Sequence, residues 1–147
     1  YEEKCALVGD KMRLFEKQRR IMLALKRVLT QADHTPVLIF DEIDQGIGGR
    51  IGAVVGEKLW SLSKDHQVMV VTHLAQLAGF GDRHYRVSKH VDGQRTHTQV
   101  SALDDDGQRV DEIAAMLGAV GSGGHENARE LLEDARMRKS HLSLPGG

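Results

Sequence analysis

The chain has 147 residues, 40 % of them hydrophobic and 28 % charged, with a formal net charge of -1. That is the balance of a globular chain long enough to bury a core, and it creates no overall field that would draw in nucleic acid or a membrane surface. The single cysteine, Cys5, excludes an internal disulfide framework and fits a reducing cytoplasm. No apolar run approaches the ~20 residues that cross a bilayer, and the amino terminus has no signal-peptide core. Eight histidines are scattered, and no Cys-x-x-Cys or His-x-x-x-His pair offers a zinc site. The glycines gather from Gly46 to Gly56 and from Gly118 to Gly124, so they look positional rather than low-complexity.

Residues 1–10 carry no pattern. From about Lys11 to Leu29, the apolar residues Leu14, Ile21, Leu25 and Val28 recur at spacings of three, four and seven, which predicts a helix. Its other face carries Lys11, Arg13, Lys17, Arg19, Arg20, Lys26 and Arg27. Such a basic stripe can touch phosphates, although lysine and arginine are also the ordinary residues of a solvated face. Pro36 then opens the apolar run Val37 to Phe40, which reads as a strand buried on both faces, as in the middle of a parallel sheet. Asp41 and Glu42 stand at its carboxyl end, where open α/β sheets bind ligands. The bland alternative is a strand that ends in a solvated acidic turn.

The glycine-rich turn from Asp44 to Arg50 lacks the Gly-x-x-x-x-Gly-Lys-Ser/Thr pattern of a P-loop. A helix is expected over about 50–63, with Ile51, Val54, Val55, Leu59 and Leu62 inward. Gly52 and Gly56 would let it approach the sheet closely. Gln67 to Thr72 reads as a second buried strand ending at His73. Strand, crossover helix and strand make a right-handed βαβ unit, which brings Asp41, Glu42 and His73 to one sheet edge. A short helix is expected over 74–80, then strands over 85–91 and 95–103 joined by an Asp92-Gly93 hairpin turn. Asp104 to Gly107 reads as a turn; its three carboxylates could bind Mg²⁺ or Ca²⁺, but nothing completes an EF-hand spacing. Val110, Ile113, Ala114 and Leu117 define the next helix, with Asp111 and Glu112 in its first turn and Gly118 beyond its end. A flexible Gly-Ser-Gly-Gly link leads to a last helix over about 126–138, packed through Ala128, Leu131, Leu132 and Ala135. The tail reads as frayed.

An apolar strand delivering Asp then Glu resembles the Walker B element of P-loop ATPases, in which the Asp helps to hold Mg²⁺. The resemblance widens with V-L-I-F-D-E-I-D-Q-G-I-G-G-R, V-M-V-V-T-H-L-A-Q-L-A, Y-R-V-S-K and E-I-A-A-M-L-G taken together. From about Arg20 onward the chain is similar to the carboxy-terminal head segment of RecN, a family of bacterial DNA repair proteins. That family is SMC-like, with an ABC-type ATPase head split in sequence by a coiled coil, and acts in double-strand break repair and recombination. The resemblance implies an α/β fold, the carboxy-terminal lobe of an ABC/SMC-type P-loop ATPase head. Its parts would be parallel strands with a crossover helix, a β-hairpin and two terminal helices. Residues 1–147 would form a single partial domain, with 1–19 diverging from the family.

The same resemblance implies ATP and Mg²⁺ as cofactors, with Asp41 in the metal shell and Glu42 as general base. Gly46, Gly48 and Gly49 would lie in the D-loop region that meets a partner head, and His73 would be the switch histidine near the γ-phosphate. Most SMC relatives have Leu-Asp where Ile47-Gly48 stand, which favours RecN. Two features depart from the family. Its Ser-Gly-Gly-Glu-Leu-Ser-Arg signature aims backbone amides at the partner's ATP, but Leu14 to Arg20 stands in that place and only Arg20 matches. The Walker A loop and coiled coil belong to an amino-terminal half that this sequence does not contain. The expected partners are therefore that lobe, a second head in a homodimer, and DNA, with no membrane. The expected location is the bacterial cytoplasm, at the nucleoid, and isolated ATPase activity is not expected. The alternative is a degenerate, non-catalytic module that docks protein or DNA.

Overall fold

A computed structural model describes residues 35–93, 95–118 and 121–143. The helix expected over 11–29 with its basic stripe, the residues in the signature position and the tail beyond 143 lie outside the described residues. The elements that follow are β1 (Val37–Asp41), α1 (Gly49–Leu62), β2 (Gln67–Val71), α2 (Ala75–Ala78), β3 (Tyr85–Asp92), β4 (Arg95–Ala102), α3 (Asp106–Met116) and α4 (Ser122–Ser143). β1 and β2 pair in parallel, Val37 with Gln67 through Asp41 with Val71, as the βαβ reading requires. β3 and β4 form a separate antiparallel hairpin. Asp92 pairs with Arg95, so the connection is the two residues after Asp92 rather than Asp92-Gly93, and Gly93 supplies the positive φ of 59°.

The two-stranded sheet is covered on one face. Alternation along a strand sends Leu38 and Phe40 towards α1, where Ile51, Val55 and Leu59 form a buried cluster with Leu77. Val37, Ile39, Met69 and Val71 point the other way and stay exposed, Ile39 at 67 %. The expectation of strands buried on both faces is therefore corrected, because among the described residues only one side has a packing partner. A second cluster joins Ala75, Val110, Ile113, Ala114 and Ala128 between α2, α3 and α4.

The glycines of α1 have a role different from the expected one. A Cβ on Gly52 would lie 2.3 Å from Leu74, and one on Gly56 would lie 2.6 Å from the Phe80 ring. They admit the segment after β2 rather than the sheet. Phe80 is buried at 4 % and has little room to turn. Gly56→Ala gains about 1 kcal/mol of helix propensity but overpacks the contact by about 1–3 kcal/mol. A net loss of up to about 2 kcal/mol is expected from these two terms, read as a lower urea midpoint at unchanged slope.

Helix ends also differ from expectation. The Asp105 side chain accepts from the Gln108 amide at 2.9 Å, capping α3 one residue before its start. Asp111 and Glu112 consequently sit beyond the first turn. Gly118 does follow the end of the helix, at φ 67°. α4 begins at Ser122, so Gly123 and Gly124 of the expected link are helical, while Gly121 precedes the helix at φ 98°. His125 bonds across to Asp111 at 3.0 Å, a tertiary contact that offsets their poor propensity. No helix among the described residues is long and apolar enough to cross a membrane.

Candidate active site

The carboxyl ends of β1 and β2 carry the expected residues side by side. Asp41 ends β1 and is exposed, opposite Val71, the last residue of β2. Glu42 follows with a φ of 50°, the one positive-φ non-glycine residue among those described. That region crowds a Cβ against the following carbonyl, at roughly 1–2 kcal/mol per residue. The strain is held in place: the Glu42 amide donates to Val71 at 3.3 Å, and the Gln45 amide returns to the Glu42 carbonyl at 3.1 Å. The Gln45 side chain also donates to the Glu42 carboxylate. The chain thus turns sharply at Glu42, directly after the end of β1.

Beyond it the loop is set by a residue that sequence reasoning passed over. Asp44 is 1 % exposed, and one of its oxygens collects three donors from the loop after β2. These are the Thr72 hydroxyl, the His73 amide at 3.0 Å and the Leu74 amide at 3.1 Å. His73 Nδ1 stands 3.2 Å from the same oxygen, while the His73 side chain remains 78 % exposed. Burial pushes the Asp44 carboxyl up, but hydrogen bonds from Thr72 and the backbone, with the nearby His73, outweigh it and hold the group below its ordinary value of 3.8. The other oxygen, Oδ1, is buried without a partner among the described residues.

The glycine turn continues the brace. Gly46 adopts φ 70°, Gly48 caps α1 in an extended conformation, and Gly49 begins the helix. A Cβ on Gly49 would meet the Gln76 side chain at 2.8 Å, whereas Gly48 faces open space. Asp41, Glu42, Gly46 to Gly49 and His73 are therefore gathered at one edge. No hydrogen bond or ion pair joins Glu42 to His73 among the described residues; Asp44 links the two strand ends instead. Its only sequence signal was a third carboxylate soon after the strand.

This edge belongs to an SMC-type ATPase head fold. The chain aligns with a solved structure described as "Structural biochemistry of ATP-driven dimerization and DNA stimulated activation of SMC ATPases". The TM-score is 0.53 and the identity 21 %, over 69 % of this chain and 59 % of that one. In sequence the chain is a RecN-like segment. It is 48 % identical over 114 residues to the DNA repair protein RecN of Deinococcus radiodurans, covering 77 % of this chain and 20 % of that protein. It is 44 % identical over 118 residues to RecN of Xylella fastidiosa, covering 78 % and 21 %. With RecN of Vibrio cholerae it shares 43 % over 115 residues, covering 77 % and 21 %. The chain thus spans about a fifth of the length of these relatives. No family model matches it.

Proposed function

We propose that this segment supplies the Walker B carboxylates, the D-loop region and the switch histidine of a RecN-like ATPase head acting in DNA double-strand break repair and recombination. The reading rests on one observation: Asp41, Glu42 and His73 share the carboxyl edge of a parallel strand pair, and a buried Asp44 ties the two loops together. Glu42 would act as general base towards the attacking water. His73 would face the γ-phosphate through Nε2, because the Asp44 carboxylate beside Nδ1 favours the proton there. Asp44 is then a positioning residue.

The residues fit Mg²⁺ in a specific way. No group of three or more His, Cys, Asp or Glu converges among the described residues. Mg²⁺ is commonly held by one or two carboxylates, with water and substrate phosphates completing its shell, so Asp41 suffices on the protein side of this edge. When bound, the ion would neutralise charge on the nucleotide phosphates. Gly46 to Gly49 would meet a second head, and the work would be done in the bacterial cytoplasm, at the nucleoid.

The 147-residue chain alone should hydrolyse no ATP above background and bind nucleotide weakly, because carboxylates without a phosphate cradle do not hold the substrate. Phosphate release from purified protein measures this. Turnover abolished by Glu42→Gln in the isolated chain would overturn it.

A further inference from the structure

We propose that a cavity between α3, α4 and the loop after α2 binds a phosphate group. It holds about 300 Å³ and is lined by Arg109, Arg136 and Lys139, by Asp82, and by the backbone at Gly79 and Gly81. The proposal is independent of the nucleotide edge. The cavity's neighbour on α1 is Trp60, whose indole donates to Asp82 at 3.1 Å. Trp60 lies eleven residues along the helix from Gly49, about 17 Å at the usual rise.

Three cations converge there, and their partners leave charge over. Arg109 donates to the Gly79 carbonyl at 3.1 Å and to the Gly81 carbonyl, makes no ion pair among the described residues, and keeps Nε buried with no acceptor. Arg136 reaches Asp106 at 3.2 Å, but that pair is exposed at 62 % and 82 %. Exposed pairs exchange readily with water, so Arg136 is available to a better acceptor. Lys139 is 16 % exposed, lies 2.9 Å from Asp82 and sits 5.5 Å from the centre of the Trp60 ring. Asp82 is thus answered by both Lys139 and the indole. Burial first, and then the nearby Arg136, pull the Arg109 guanidinium below its ordinary range, against the opposite pull of Asp82 and Asp106. Like charges crowded at a polar cavity, with one guanidinium held only by backbone carbonyls and the other only by an exposed carboxylate, suit a tetrahedral oxyanion, since guanidinium binds phosphate through two parallel N–H bonds.

Trp60 is the only tryptophan in the chain, and it reports on Lys139 directly. The test titrates inorganic phosphate into the full chain at fixed ionic strength and follows Trp60 fluorescence, with chloride as control. A saturable change is expected, at least about tenfold weaker in Arg136→Gln, and weakened in Arg109→Lys, which keeps the charge but removes the fork. A short DNA duplex added in a second arm distinguishes the source. Displacement of phosphate by duplex identifies a nucleic-acid phosphodiester as the ligand, and retention identifies free phosphate or a small phosphorylated molecule. The absence of a saturable change, an equal response to chloride, or an unaltered Arg136→Gln would overturn the proposal.

Discussion

Glu42→Gln in a completed head is expected to leave ATP binding in place and lower turnover by about 10²–10⁴-fold. Completion here means joining this segment to a Walker A lobe and restoring the family signature at residues 14–20. The substitution keeps the shape of the side chain and its reach to Gln45, and removes only the base. Heads should then stay closed on unhydrolysed ATP. Asp41→Asn should behave differently. On the proposed role it would take charge from the metal shell in both ground and transition states, so Mg²⁺-dependent affinity itself should fall. His73→Ala should lie between the two, slowing hydrolysis with a modest loss of affinity. The measurement is paired nucleotide affinity and single-turnover rate. If both carboxylate variants lose affinity equally and neither changes the rate of bound ATP, the roles assigned to the end of β1 are wrong.

The largest stability effect is expected at Asp44. Asp44→Ala strips the acceptor from the Thr72 hydroxyl and from the His73 and Leu74 amides where water reaches them poorly. Leaving a buried donor unsatisfied costs about 1–3 kcal/mol, so the loss of this shared acceptor should show as a clearly lowered urea midpoint. The acid side gives a second reading. The folded carboxyl is held below its ordinary 3.8, so as pH falls the unfolded chain takes up the proton first. The contribution of Asp44 is therefore complete above that ordinary value and is lost as pH drops through the lower, folded value. Asp44→Asn does not titrate. Its stability should fall less steeply than that of the parent as pH drops through and below 3.8, and parallel curves would rule the linkage out.

Much of the fold was legible in the sequence because it rests on local periodicity. The run from Val37 to Phe40, the stripe Ile51, Val55 and Leu59, and the alternation from Tyr85 to Val91 each gave an element of the right kind. What failed depended on distant partners. Four apolar residues in a row look doubly buried, yet Val37 and Ile39 find no cover among the described residues. Gly123 and Gly124 look like a hinge, yet α4 runs through them, with Gly124 buried and His125 reaching Asp111. At the candidate site, Asp41, Glu42 and His73 were singled out by their places at strand ends, and the structure puts them at one edge. Asp44 was not, because a short carboxylate in a turn reveals its importance only when the donors that meet it, twenty-eight to thirty residues onward, are known.

The four residues of α2 stand directly after the loop that carries His73, and they belong to both interiors at once. Leu77 packs with Ile51 and Val55, while Ala75 packs with Ile113 and Ala128. A single helical turn has no length over which to flex, and close-packed interiors transmit small shifts rather than absorb them. If the loop that carries His73 shifts, α2 is the element through which the shift would reach the packing beneath α3 and α4. The state of the crevice would then be readable from the methyl resonance of Ala128, on a helix that supplies none of the crevice residues.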